Sequence, residues 1–389
     1  MPIGRLFRRA EERGRPDLPL LSVYRDLGVV LREGREDNFN RPGHDLAAYR
    51  VVRRGDLVLN KMKTWQGSLG VSDHHGIVSP AYYVCRQLGL GDLRFIHHLL
   101  RSGPLVAEYG ARSKGIRPSQ WDLPWDEFKT IHVCLPLLAE QRAIADFLDA
   151  ETSRIDALIT KKRRLIELIA ARHATWVREQ LQGPHDVLPL KRRWRVVDCK
   201  HRTPIYTGDG HPVMSPGDIA PGRLDLNMAH RFVGEIDFLD LTEGGRRPHR
   251  DNIIYSRNAS IGIAAYVDTD EPFCMGQDVC LITSADQSQL YLTYALNSIG
   301  VDQLDAEKLG TTFSRINVAQ IAELRIPVPP PREQHMLARR FDRASRRVAG
   351  LVSRLTRQLE LLAEHRQALI TAAVTGELDV AREIAEEAS

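Results

Sequence analysis

The sequence has little cysteine and scatters it. Cys85, Cys134, Cys199, Cys274 and Cys280 are spread over 389 residues with no Cys-x-x-Cys spacing. That excludes a disulfide framework and a cysteine-built zinc site; buried free thiols in a reducing compartment are the simpler reading. No apolar run approaches the ~18 residues of a membrane span. The basic start, Met1 to Arg15, has no apolar core behind it and does not read as a secretory signal. A cytoplasmic location is the expectation. Catalytic signatures are missing as well. There is no GxxxxGK[ST] phosphate loop and no GxGxxG after a strand. There is no HExxH and no GxSxG, and no Asn-Pro-Pro-aromatic run of the kind with which amino-methyltransferases hold a target base. Glu127-Phe128-Lys129 is half of a nuclease-type acidic–Lys motif, but no partnering acidic strand accompanies it. His74-His75 and His97-His98 are sequence neighbours and so point to different faces, which argues for ordinary histidines rather than metal ligands. No catalytic residue, metal site or cofactor is expected in this chain.

What is present is a duplication. Pro136-Leu137-Leu138-Ala139-Glu140-Gln141-Arg142 returns as Pro329-Pro330-Pro331-Arg332-Glu333-Gln334-His335. Each copy opens a helical stretch, and the register carries from Glu140 and Gln141 onto Glu333 and Gln334, and from Gly183 onto Gly376, without a gap. A period of about half the chain means one unit used twice rather than a solenoid. The lead phrase of each half also repeats, Pro2-Ile3-Gly4-Arg5-Leu6-Phe7 against Pro189-Leu190-Lys191-Arg192-Arg193-Trp194.

The chain divides at these marks. Residues 1–135 read as a mixed α and β domain, with strands expected in 57–60, 68–71 and 77–85, a helix in 93–100 and a polar loop at 111–119. Residues 136–183 form a long helix and 184–328 a second mixed domain, in which Arg54 to Lys61 aligns with Arg250 to Arg257. Residues 329–376 form the second long helix, and 377–389 a tail. The first helix has apolar positions Ile144, Leu148, Ile155, Leu158, Leu165 and Ile169, interrupted at seam positions by Glu151 and Lys162. The second has Leu337, Phe341, Ala344, Val348, Leu351, Leu355, Leu362 and Leu369. Both spacings are heptad-like. Neither helix can hide its stripe alone, so an intramolecular antiparallel coiled coil of ~50 Å helices is expected. The fold class is mixed α/β (α+β): two sheet-containing domains separated by two long helices, with a pseudo-twofold repeat. Glu151 and Lys162 are expected near each other or near a partner.

Net charge is only +4, which permits an anionic partner without demanding one. Its placement says more. Reading bases in a major groove needs Arg, Lys, Asn, Gln, Ser or Thr on protruding loops, with basic groups on phosphates. The first domain offers Asn60, Lys61, Lys63, Gln66, Lys114, Arg117 and Ser119. The second offers Lys200, His201, Arg202, Thr203, Arg257, Asn258, Thr312, Ser314, Arg315 and Asn317. Each alone is more readily a solvated loop residue; as equivalent loops in two copies they favour double-stranded DNA.

The Pro-x-x-x-Glu-Gln helix starts after each mixed domain resemble the specificity (S) subunit of Type I restriction–modification enzymes. Arg54-Gly55-Asp56-Leu57-Val58-Leu59-Asn60-Lys61-Met62 and Ile77-Val78-Ser79-Pro80-Ala81-Tyr82-Tyr83 resemble its first target-recognition domain. Asp198-Cys199-Lys200-His201-Arg202-Thr203-Pro204 and Ser260-Ile261-Gly262 resemble its second. Gly115-Ile116-Arg117 and Gly310-Thr311-Thr312-Phe313-Ser314-Arg315 resemble the loops before its long helices. Many members have a longer lead-in with a Trp, where this chain has only Pro2 to Arg8. The resemblance implies a non-catalytic subunit whose two domains each read half of a split target. It implies docking of two adenine methyltransferase (modification) subunits, near Glu140, Gln141, Glu333 and Gln334, and of restriction subunits. S-adenosylmethionine, ATP and Mg belong to those partners. The rival reading is a coiled-coil adaptor that scaffolds proteins without reading DNA.

Overall fold

In the computed structural model, residues 1–25, 27–32, 45–115, 121–308 and 315–387 are described. The chain forms two compact units, one of residues 1–163 with 356–389 and one of residues 164–355. The contacts therefore group it differently from the linear stretches of the sequence, because each long helix contributes to both units.

Unit 1 contains β1 (Phe7–Ala10), β2 (Leu21–Tyr24), β3 (Gly28–Leu31), β4 (Arg50–Val52), β5 (Leu57–Asn60), β6 (Leu69–Val71), β7 (Gly76–Val78) and β8 (Tyr82–Gln87). Helices α1 (Leu93–Leu100), α2 (Gly103–Arg112) and α3 (Trp125–Phe128) follow, then the long α4 (Leu138–Leu181). The main sheet is antiparallel in the order β1-β8-β5-β6. The stretch 77–85, expected as one strand, is two. It breaks at Ser79-Pro80, where proline cannot donate to a ladder.

Unit 2 contains β9 (Val187–Pro189), β10 (Arg195–Asp198), β11 (Tyr206–Thr207), β12 (His211–Met214), β13 (Gly222–Arg223), β14 (Phe232–Val233), β15 (Ile253–Ser256), β16 (Ala264–Tyr266), β17 (Cys274–Met275), β18 (Val279–Thr283) and β19 (Arg325–Pro327). Its helices are α5 (Glu235–Thr242), α6 (Gln289–Ala295), α7 (Val301–Lys308), α8 (Val318–Glu323) and the long α9 (Pro331–Thr375). The sheet order is β10-β18-β15-β16-β13, which repeats the unit 1 order strand for strand and adds β13 in parallel. Even the turn before the aligned strand is kept. Gly55 has φ +89° and its counterpart Asp251 has φ +64°, a left-handed conformation that glycine adopts freely and aspartate tolerates.

The long helices have 44 and 45 residues, so each rises about 66 Å, longer than expected. Gly376, left-handed at φ +80°, caps α9. The tail is not featureless: α10 (Val380–Glu387) follows, with Val380 in the unit 1 core. That core takes Ile144, Ala145 and Leu148 from the start of α4, and Ile370, Ala373 and Val374 from the end of α9. The unit 2 core takes Leu337, Ala338 and Phe341 from the start of α9, and Val177 and Leu181 from the end of α4. The helices are thus antiparallel within each unit. Arg366 donates to Asp156 and Lys162 to Gln358 in unit 1; in unit 2, His173 bonds Ser345 and Arg340 donates to Gln180.

The seam itself is shifted from its expected register. In α4 the least exposed middle positions are Thr152, Ile155, Ile159, Lys162, Ile166, Ile169, His173 and Trp176. Leu158 and Leu165 are 42% and 45% exposed. Glu151 stands half-buried beside that heptad register and pairs with Arg154. Lys162 is one, and it donates to Gln358 at 2.7 Å across the helix pair rather than meeting Glu151. In α9, Val352 replaces the exposed Leu351. No helix among the described residues is long and apolar enough to cross a membrane.

What fastens each long helix is the duplicated glutamine. Gln141 Oε1 accepts the backbone N–H of Asp92 at 2.9 Å and its Nε2 donates to the Pro136 carbonyl at 2.8 Å. Gln334 Oε1 accepts the N–H of Ser288 at 3.0 Å, and its Nε2 donates to the Pro329 carbonyl at 2.8 Å and to Gln287 at 2.6 Å. Asp92 and Ser288 are the N-caps of α1 and α6. Both glutamines are buried, at 4% and 0% exposure. The expectation that they present docking groups is corrected: their amides are consumed inside the fold. Replacing Gln334 with Ala leaves buried donors and acceptors unpaired, at about 3 kcal/mol. Denaturant unfolding of the full chain should show that loss for Gln334→Ala, and a smaller midpoint shift for Met336→Ala, an exposed side chain on the same turn.

Candidate nucleic-acid interface

In unit 1 the loop after β5 is built on Asn60. Its carbonyl accepts from Thr64 Oγ1 at 2.6 Å and its Oδ1 from the Met62 N–H at 3.2 Å. Asn60 is therefore half-buried and occupied with loop geometry. Lys61 lies with Nζ 4.6 Å from the centre of the Tyr83 ring, which Arg9 also faces at 4.9 Å. Burial lowers the pKa of the Lys61 ammonium. Lys63 and Gln66 are exposed. Beside them Trp65 and Trp121 meet at 5.1 Å, a pair the sequence reading missed, since the partners lie in different loops. Lys114 is exposed, 3.2 Å from Glu127, and exchanges backbone hydrogen bonds with Asp122. This also places Glu127, half of the nuclease-like triplet, in an ion pair. Arg117 and Ser119 lie outside the described residues, as do Thr312 and Ser314 in unit 2. His97 is half-buried, its Nδ1 accepting the Val71 N–H at 3.2 Å, and desolvation drops its pKa to about 3. His98 instead bonds Asp149. Both serve the fold.

In unit 2 six of the eight expected contact residues that are described meet a carboxylate. Arg257 is only 2% exposed and lies 2.6 Å from Asp198. It is a core ion pair rather than a loop contact, which corrects the expectation from its place beyond β15. Burial pushes the Asp198 carboxyl up, but Arg257 and His201 outweigh it, so the group sits below its ordinary value. His201 is 3.1 Å from Asp198. Asn258 donates to Asp278 at 3.1 Å, and Arg315 approaches the same carboxylate at 2.8 Å. Lys200 contacts Asp240 at 2.6 Å and Glu243 at 3.1 Å. Arg202 contacts Asp237 at 2.7 Å and Asp240 at 2.6 Å. The 200–203 loop is thus tied along the acidic side of α5, and Thr203 accepts from Gln277 at 2.9 Å. Lys200 and Arg202 are held above their ordinary pKa and Asp240 below its own by these hydrogen bonds. Asn317 is the N-cap of α8 in a reciprocal capping box with Gln320, so its side chain is corrected from base contact to helix cap.

Asp198, Cys199 and His201 bring one ligand atom each within 4.8 Å. Arg257 already supplies the cation at that carboxylate, so the cluster does not fit a metal ion. Of the four positions expected to dock partners, Glu140 is exposed, and Glu333 lies 3.4 Å from His185. The two glutamines are internal, as above.

The fold and these loops define a protein with two copies of one sheet-and-loop domain, each fastened to a pair of long helices. Residues 220–361, the later part of unit 2 and α9 as far as residue 361, match the family described as the Type I restriction modification DNA specificity domain. Among solved structures, a chain from work on complex assembly and conformational transition of the type I R-M system matches with a TM-score of 0.69. It is 18% identical, with 97% of each chain covered. The HsdS subunit from Thermoanaerobacter tengcongensis matches with a TM-score of 0.52 at 16% identity, covering 97% of this chain and 96% of that one. The chain therefore has the specificity-subunit fold over nearly its whole length. No curated protein matches the sequence.

Asp198→Asn should leave the buried Arg257 guanidinium without its counter-charge, at about 2 kcal/mol. Thermal unfolding of the full chain reads this; a midpoint equal to wild type means that another group neutralises Arg257.

Proposed function

We propose that this chain is the DNA-reading specificity subunit of a Type I restriction–modification system. In this reading it is not itself an enzyme. Each domain reads one half of a split target, and the long helices hold adenine methyltransferase subunits, with restriction subunits added to the assembly. S-adenosylmethionine, ATP and Mg are supplied and used by those partners. The observation that carries the reading is the repetition itself. Two domains have the same sheet order, the same left-handed turn before the aligned strand and the same glutamine clamp, and one bears the specificity-domain match. Two equal readers suit a two-part target.

The helices suit a spacer. Half-sites on one face of B-DNA lie roughly 34–36 Å apart per turn, and each helix rises about 66 Å. Adding or removing whole turns in α4 and α9 should therefore change the length of the unread spacer and leave both half-site sequences unchanged. Methylome sequencing of a host carrying the chain with its methyltransferase partner gives half-sites and spacer together. Unchanged spacing in a helix-length variant removes the ruler; no split motif at all favours a protein-scaffolding adaptor.

The tethered loop gives a second test. A lysine or arginine already neutralised by a carboxylate releases fewer counterions on meeting phosphate than a free one. Asp237→Asn, Asp240→Asn and Glu243→Gln together should free Lys200 and Arg202. Duplex DNA binding should tighten, and its salt slope should steepen by about 0.9 per released cation. Fluorescence anisotropy across a salt series checks it, and an unchanged slope takes these two residues out of the interface.

A further inference from the structure

The two copies differ in charge at one matched place. Residues 331–348 of α9 carry six arginines and two carboxylates; the corresponding 138–155 of α4 carry four carboxylates and two arginines. Both carboxylates of 331–348 are occupied. Glu333 is 3.4 Å from His185, and Asp342 holds Arg223 at 3.1 Å and Arg346 at 3.0 Å. Arg332, Arg339, Arg340, Arg343 and Arg347 instead line a groove of about 850 Å³ with Trp176, and no carboxylate lines it. Arg340 is fixed there, 5.4 Å over the Trp176 ring and donating to Gln180 at 2.8 Å. Arg339, Arg343 and Arg347 stand one helical turn apart, in steps of about 6 Å. Like charges at this spacing oppose helix formation. The α4 copy does without them, so the fold does not require the stripe.

We infer that this arginine stripe of α9 binds the phosphodiester backbone of duplex DNA, independently of base sequence. It adds to the loop contacts of the proposed function and rests on that reading only in taking duplex DNA as the source of phosphate. Guanidinium forks bind phosphate oxygens in pairs. Protein–protein interface cores are depleted in charge, whereas nucleic-acid interfaces are strongly positive. Within this groove Met336 is the one exposed large apolar side chain, which gives an acidic protein helix little to anchor on.

The test uses the full chain, a fluorescent random-sequence duplex and a salt series. The triple variant Arg339→Gln, Arg343→Gln, Arg347→Gln should lower the slope of log affinity against log salt by about 2.7, or about 0.9 per arginine. Lysine at the same three positions should restore most of it. Arg142→Gln with Arg154→Gln, the matched face of α4, should leave the slope unchanged. A folded glutamine variant with a wild-type slope overturns the inference, as does loss of polyglutamate binding with DNA binding intact, which makes the groove a site for acidic protein. A stripe-dependent slope in a chain that prefers no sequence upholds the stripe and sinks the specificity-subunit reading. A retained site preference with an unaffected slope does the reverse.

Discussion

A buried primary amide in the first turn of each long helix is the constraint on which the architecture depends. Its oxygen takes the backbone N–H of a helix N-cap in the neighbouring domain, and its nitrogen takes the proline carbonyl five residues back. An amide is expensive to bury unless all of these bonds form. The arrangement therefore tolerates one start for the helix and one seat for the domain. Everything measured along α4 and α9 is measured from those two points. The same bonds form around an aspartate cap in one copy and a serine cap in the other, so the glutamine and the proline carry the geometry and the cap residue is interchangeable.

That division explains what the sequence discloses. The duplication, the helix 93–100, the aligned strands β5 and β15 and the ends of both long helices are legible because each rests on local chemistry: a turn, a cap, a proline or an alternation of apolar residues. The expected seam is one residue off because Leu158, Leu165 and Leu351 stand beside the equally apolar Ile159, Ile166 and Val352, which are the packed positions. A heptad count identifies a stripe but does not choose between adjacent stripes when both are apolar. Nothing local marks the glutamines as internal, because the N–H groups they accept lie 46 to 49 residues away.

The same limit applies to the loops. Arginine or lysine beyond a short strand reads as a free cation. In unit 2 the cations meet Asp198, Asp237, Asp240, Glu243 and Asp278. Only Asp198 stands beside the loop it serves in sequence; the carboxylates of α5 come from some 40 residues further along and carry no local signal. Unit 1 is organised otherwise. Lys61 is held on an aromatic ring, while Lys63 and Gln66 face solvent beside the Trp65–Trp121 pair.

The two domains thus repeat a backbone but not an electrostatic state. An anion approaching the exposed Lys63 meets a cation at the price of its hydration alone. An anion approaching Lys200 or Arg202 must also displace Asp240, whose carboxylate is held ionised by those same two residues. Exchange of one partner for another gains less than capture by a free charge, so the tethered loop contributes less to indiscriminate attraction and more to geometry. Its side chains are already arrayed by α5 before any ligand arrives. A loop of this kind discriminates by whether a ligand offers acceptors where the carboxylates now sit. Duplication of the scaffold left each copy free to settle that balance between attraction and selectivity for itself.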